Sequence, residues 1–141
     1  MHSRAVFMLL AAFALGACRG PKSDCEGSYE SWTGSMAAHD WDSAYELLTP
    51  EFKKKVGSPK RMAAYMEDSW KGSKSFEFSP FDIAETNAGV CTARGEMRYT
   101  VKIRGELPKD HEQVYFSYVF RQEKDGLWYI ELPGNERIQS F

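Results

Sequence analysis

The 141-residue chain is short of the side chains that most often carry chemistry. It has three histidines, His2, His39 and His111, and three cysteines, Cys18, Cys25 and Cys91. None of them falls at the spacing of a metal site, and no C-x-x-C, H-E-x-x-H or glycine-rich phosphate loop is present. The stretch GSYESWTGS (27–35) has glycine and serine but lacks the Lys-Ser/Thr of a phosphate loop. No metal site and no cofactor is therefore expected. Charge of one sign is lacking too. With 18 basic and 20 acidic residues the net charge is −2, which leaves no electrostatic case for a nucleic-acid partner. No apolar run is long enough to span a bilayer. The run at 5–15 has eleven residues, against the roughly 20 a helical span needs.

That run has the length of a secretory signal. Arg4 and the amino terminus precede it, and no Asp or Glu occurs before Asp24. It ends in Leu15-Gly16-Ala17-Cys18, which resembles the lipobox of bacterial lipoproteins, with Gly16 where that family usually has Ala or Ser. The resemblance implies removal of residues 1–17 and a diacylglyceryl group on the Cys18 sulfur. Ordinary secretion with cleavage after Ala14, read from Ala12-x-Ala14, is the alternative. Each buried methylene contributes about 0.8 kcal/mol, so two or three acyl chains make a firm membrane anchor. Arg19, rather than Asp, follows the cysteine. By resemblance to the family's sorting rule this favours the outer membrane where the source has two. Residues 19–24 (RGPKSD) read as a polar tether of about 20 Å, at about 3.4 Å per residue. Without residues 1–17 the chain has 124 residues, 17 basic and 20 acidic, and residues 25–141 make one domain.

If Cys18 carries lipid, Cys25 and Cys91 remain as one pair. An oxidising compartment permits a disulfide between them. Two separate buried thiols are the alternative.

The pattern along the chain is helices first, then strands. Asp24 can cap a helix whose stripe is Cys25, Tyr29, Trp32 and Met36. Asp40, Thr49-Pro50 and Ser58-Pro59 give three further helix starts. After Gly72 the period changes to two. Phe76 and Phe78 alternate, then Phe81 and Ile83 alternate out of phase, so a bulge or edge is expected at Pro80. Residues 85–89 (ETNAG) read as a turn. From Gly89 through Cys91, Ala93, Gly95, Met97, Tyr99, Val101 and Ile103, one apolar face runs opposite a polar one. Cys91 on this face and Cys25 on the helix stripe can thus both point into one core. Residues 106–112 read as a hairpin loop, Val114, Phe116, Tyr118 and Phe120 alternate, and Asp125-Gly126 is a hairpin turn before the last strand, 127–132. Such an order is α+β, with a meander of four or more antiparallel strands.

Residues 37–66 (AAHDWDSAYELLTPEFKKKVGSPKRMAAYM) and the closing DGLWYIEL (125–132) resemble nuclear transport factor 2-like domains, including small bacterial lipoproteins of that superfamily. The resemblance spans nearly the whole mature chain. It implies a curved sheet wrapped on helices, forming a cone, often with a cavity between helices and sheet. The candidate pocket is drawn from Tyr29, Trp32, Met66 and Trp70 on helices and Met97, Tyr99, Phe116 and Tyr118 on strands. The superfamily includes ketosteroid isomerase-like enzymes, dehydratases and non-catalytic binding modules, and fold alone does not choose among them.

An isomerase-type site needs a carboxylate on an apolar wall. The two clearest inner faces carry none, and Asp82 or Glu85 qualifies only if the Pro80 bulge turns one inward. No catalytic residue is assigned. His39 and His111 read as solvated loop histidines. Arg94, Arg98, Lys102 and Arg104 form a basic stripe on the polar face, a candidate for anionic headgroups or an acidic partner. The reading is therefore an envelope lipoprotein, anchored in the membrane, whose domain binds a small apolar ligand or another envelope protein without catalysis. An isomerase- or dehydratase-type enzyme and a lipoprotein acting by surface contacts alone are the alternatives. The oligomeric state is left open, a dimer included.

Overall fold

The computed structural model describes residues 19–69, 73–101 and 112–131. Residues 1–18, with Trp70, Lys102, Arg104 and His111, lie outside them. Four helices precede four strands: α1 (Cys25–Ala38), α2 (Trp41–Glu46), α3 (Pro50–Val56), α4 (Pro59–Ser69), then β1 (Ser73–Asn87), β2 (Val90–Val101), β3 (Glu112–Gln122) and β4 (Trp128–Glu131). The strands form one antiparallel sheet in the order β1-β2-β3-β4. The α+β class expected from the sequence, N-terminal helices packed on a four-stranded antiparallel sheet, is the one observed.

Local chemistry sets the helix starts. Asp24 accepts from the Gly27 N–H at 2.5 Å, Asp40 from Ser43 N–H at 3.2 Å, Thr49 from Phe52 N–H at 3.4 Å and Ser58 from Arg61 N–H at 3.1 Å. Each side chain takes one of the amide donors that a helix start leaves without a partner. The Pro80 irregularity is a bulge: Pro80 pairs with Gly95 and Asp82 with Arg94, leaving Phe81 extra. Phe81 is 64% exposed and lies 6.2 Å from the ring of Tyr115, the other large exposed apolar side chain among the described residues. The turn expected over residues 85–89 is tighter than its sequence suggests. β1 runs on to Asn87, which pairs with Val90, and Gly89 turns the corner at φ +72°.

The outer edge of β4 is not bare. Trp128 N–H donates to the Lys22 carbonyl at 2.9 Å, and the buried Ser28 hydroxyl donates to the Trp128 carbonyl at 2.8 Å. Farther along, Ile130 N–H donates to Leu47 O and Thr49 N–H to Ile130 O, so residues 47–49 add a short parallel bridge. Both ends of the edge are thereby closed to stray strand pairing. Residues 19–24, expected as a free tether, are held down: Lys22 by this bridge, and Arg19 by an ion pair with Asp40 at 3.2 Å.

The core lies between the helices and the inner sheet face. Trp32, Met36, Leu47, Leu48, Val56, Met62, Phe120 and Ile130 are at most 2% exposed. Cys25 and Cys91 are bonded, with their Cα atoms 6.5 Å apart. At the other end of α1, His39 lies 5.4 Å from the Phe76 ring, and Phe76 pairs with Tyr99 on β2. The helix therefore follows β2 from Cys91 to Tyr99. About 21 Å of helix at ~1.5 Å per residue covers about 27 Å of strand at ~3.4 Å per residue.

Candidate functional site

The seam between α1 and the sheet is walled by rings. The Tyr29 ring stacks on Phe116 at 6.0 Å, Phe116 on Tyr118 at 4.8 Å, and Trp32 meets Tyr118 edge-on at 6.0 Å. Phe78 adds a T-shaped contact to Phe116 at 5.8 Å. These geometries suit the ring quadrupoles and fix the rings against one another. Of the pocket residues expected from the sequence, Tyr29, Trp32, Phe116 and Tyr118 meet directly. Met66 and Met97 are buried, and Tyr99 sits 6.5 Å from the Phe76 ring. Trp70 lies outside the described residues.

Tight packing on β2 depends on Gly95. A Cβ there would lie 2.4 Å from Ser79 O and 2.6 Å from the Phe116 ring. The missing side chain is what lets the Phe116 ring come this close to β2.

Polar atoms interrupt this apolar seam. Among the described residues, three buried side-chain polar atoms have no hydrogen-bond partner: Tyr29 Oη, Trp32 Nε1 and His39 Nε2. All three belong to α1 or its cap, and positions 29, 32, 36 and 39 recur on one face of a 3.6-residue helix. Burial pushes the Tyr29 hydroxyl up to about 12, and the neighbouring Tyr118 adds to the shift. Burial likewise pushes Tyr118 up to about 12, offset in part by the approach of the Trp32 indole N–H. That approach falls short of hydrogen-bond geometry, since Trp32 Nε1 has no partner. Tyr29, Trp32 and Tyr118 thus bring two hydroxyls and an indole donor together inside a ring-lined wall. A few convergent polar groups in apolar surroundings are the common make-up of a small-molecule site.

His39 is the residue that sequence reasoning missed. Expected as a solvated loop histidine, it instead has 70% of its side chain covered, the complement of a 30% exposure. The Trp41 and Phe76 rings lie 5.3 and 5.4 Å from it. The signal that could have found it is its place in the α1 stripe, three residues beyond Met36.

Acids do not enter the seam. Among the described residues no carboxylate is buried. Asp82 and Glu85 are exposed, and Asp82 pairs with Arg94 at 3.0 Å on the outer sheet face. The Pro80 bulge therefore turns Phe81 outward and neither acid inward. Arg98 is likewise engaged, by Glu96 at 2.7 Å, and that hydrogen bond raises its already high pKa. The two described members of the basic stripe are thus paired with acids and lie on the sheet's outer face. Residues 19–24 run beside α1 to the edge of β4, and Arg19, Lys22, Asp24, Gly27, Glu30 and Gly34 line an open groove of about 360 Å³.

No protein-family model matches the chain, and no curated protein matches it. Solved structures do. A protein from Xanthomonas campestris, provisionally designated a calcium/calmodulin-dependent protein kinase II association domain, aligns at 14% identity and a TM-score of 0.52, over 78% of this chain and 86% of its own. Aln2 from a Streptomyces species aligns at 11% identity and a TM-score of 0.50, over 72% and 79%. A protein from Streptomyces avermitilis, provisionally designated a dehydratase of the NTF2-like family, reaches 13% identity and a TM-score of 0.48, over 70% and 82%. At these identities the likeness is one of fold, and the chemistry of this chain rests on its own residues.

Proposed function

We propose that this chain is a lipid-anchored envelope protein whose domain binds a small, largely apolar ligand in the seam between α1 and the sheet. One observation carries the ligand reading. All the buried, unpartnered side-chain polar atoms among the described residues belong to α1 and its cap, and two of them are on side chains that pack in a wall of rings. A buried polar atom without a partner costs about 1–3 kcal/mol. A ligand that supplies hydrogen-bonding groups at Tyr29 and Trp32 recovers that cost, while its apolar body is covered by Phe78, Phe116 and Tyr118.

Support for the anchor comes from the signal-like run ending at Leu15-Gly16-Ala17-Cys18 and from the Cys25–Cys91 disulfide, a bond of oxidising compartments. The held-down segment from Arg19 adds a consequence: the domain would ride close against the bilayer rather than on a stalk. Cys18→Ser is expected to abolish incorporation of labelled fatty acid and to release the protein from membranes. A Cys18→Ser protein that still partitions with membranes would overturn the anchor while leaving the seam untouched.

The enzyme alternative has one observation of its own, the surroundings of His39.

A further inference from the structure

Five cations among the described residues are matched by acids: Arg19 by Asp40, Lys53 by Glu46, Arg94 by Asp82, Arg98 by Glu96 and Arg121 by Glu131. The helix layer departs from this pairing at one corner. Residues 52–66 hold five basic side chains and no acid. Lys53 is engaged within the fold, with its ammonium 3.2 Å from Glu46 and 5.9 and 5.7 Å from the Tyr45 and Tyr129 rings. Lys54, Lys55, Lys60 and Arg61 are exposed, and none of the four is in an ion pair among the described residues.

The turn between α3 and α4 gathers these four. Gly57 closes α3 at φ +95°, its N–H donating to Lys53 O at 2.8 Å, and a Cβ there would lie 3.0 Å from Arg61 Nη1. The Arg61 guanidinium thus folds back over the end of the helix that carries Lys54 and Lys55. Lys55 in turn lies 4.9 Å from the half-buried Phe52 ring. Basic side chains with an aromatic ring among them are the make-up of a surface that sits at headgroup level. Within the protein the arrangement has only a cost. The like charges repel one another, and Lys60 and Arg61 stand in the first turn of α4, which has no acid, against the helix dipole.

α4 also links this corner to the end of the chain that would carry the anchor. Glu67, late in α4, accepts the Trp41 indole N–H at 2.7 Å, and Arg19 pairs with Asp40, the cap beside Trp41. Lys60 lies seven residues before Glu67, about 10 Å at ~1.5 Å per residue. Cys18 is bonded to Arg19, so a lipid there would bring a bilayer within reach of the corner.

We propose that the α3–α4 corner, formed by Lys54, Lys55, Lys60 and Arg61, docks on the anionic phospholipid headgroups of the membrane that holds the anchor. The proposal rests on the anchor reading for the nearness of that surface. Its charge complementarity is local. Without residues 1–17 the chain has 17 basic and 20 acidic residues, a net charge of −3, so attraction to an acidic surface has to come from a patch and not from the whole. A lipid chain and a basic patch make two points of attachment, and the second fixes which face of the domain turns to the bilayer.

The test is co-sedimentation with vesicles of the chain from residue 18 carrying Cys18→Ser, so that no lipid on the protein contributes. Vesicles of phosphatidylcholine and phosphatidylglycerol in equal parts are expected to retain it at low salt. Pure phosphatidylcholine is expected to leave it in solution, and added salt to release it. Replacing any one of the four cations by Gln is expected to lower the partition about fivefold. The quadruple variant is expected to lose retention while its thermal unfolding stays no lower than that of the native chain. Arg94→Gln/Arg98→Gln is expected to bind as the native chain does, because both cations are already matched by acids. Equal retention on neutral vesicles, retention that survives the quadruple variant, or retention lost in Arg94→Gln/Arg98→Gln alone overturns the proposal. No retention on acidic vesicles also overturns it and leaves an acidic protein as the partner of the corner. None of these results bears on the anchor, which labelled fatty acid on Cys18 decides separately.

Discussion

Cys25 at the start of α1 and Cys91 near the start of β2 are bonded across the layer boundary, with their Cα atoms 6.5 Å apart. The bond spans 66 residues of sequence and ties the helix wall of the seam to the sheet wall. In the chain-entropy model a loop of this size is worth about 4 kcal/mol. Cys25→Ala/Cys91→Ala is therefore expected to lower the unfolding free energy by an amount of that order in denaturant titration, and reductant to do the same to the native chain. A double variant as stable as the native protein would show that the seam is held by packing alone.

Two glycines inside α1 are expected to respond in opposite directions to the same change. At Gly34 a Cβ meets nothing within 4 Å, so Gly34→Ala gains the helix propensity, up to about 1 kcal/mol. At Gly27 a Cβ would lie 2.4 Å from Asp24 Oδ1 and 2.9 Å from Lys22 Cβ. Gly27→Ala must displace the capping carboxylate, worth about 1 kcal/mol, and the segment bridged to Trp128. Thermal unfolding should place Gly34→Ala above the native protein and Gly27→Ala below it.

Gly95→Ala is expected to cost about 1–3 kcal/mol, the range of an overpacked core. Two of the three atoms it would strike, Ser79 O and Pro80 Cα, are backbone and cannot swing aside. The strand-to-strand fit at the bulge would open, and Phe116 would leave its stack on Tyr118. Loss of that ring order should appear in the near-ultraviolet circular dichroism before any change in helix content.

Alkaline pH should unlock the seam. Burial raises Tyr29 and Tyr118 to about 12, against 10 for a tyrosine in the open. The folded state then holds protons that the unfolded state has released. Stability from this source is intact below about pH 10 and lost as the pH rises through about 12. Tyr129 also stands at about 12, because its hydroxyl bonds to Asp125 at 2.5 Å, so Tyr129→Phe serves as the comparison outside the seam. Tyr29→Phe and Tyr118→Phe should each flatten the loss of stability between about pH 10 and 12, measured by denaturant titration at fixed pH steps.

Features written in short stretches of chain were legible in the sequence. Asp24, Asp40, Thr49 and Ser58 cap helices because a cap needs only its own turn. The Pro80 bulge shows as a phase slip between Phe78 and Phe81, and the Cys25–Cys91 pair as two cysteines on faces of opposite layers. What stayed hidden depends on partners far along the chain. Ser28 reads as a neutral helix residue, yet its hydroxyl bridges Lys22 N–H and Trp128 O. Residues 19–24 read as a tether because composition cannot show that Lys22 meets β4 or Arg19 meets Asp40. His39 reads as solvated because part of its cover, Phe76 on β1 and Glu67 on α4, lies far along the chain, and its place in the α1 stripe was the one local signal.

The central claim is that the polar atoms of the seam await a ligand. The Trp32 indole N–H reports on it most directly, since it is buried, unpartnered and visible as its own nitrogen–proton NMR resonance. In a titration of 4-nitrophenol into the chain from residue 18 carrying Cys18→Ser, that resonance should shift saturably, with Tyr29→Phe weakening the binding and the indole of Trp128, outside the seam, left in place. A Trp32 resonance that stays fixed while the probe binds elsewhere, or while it does not bind at all, would contradict the account.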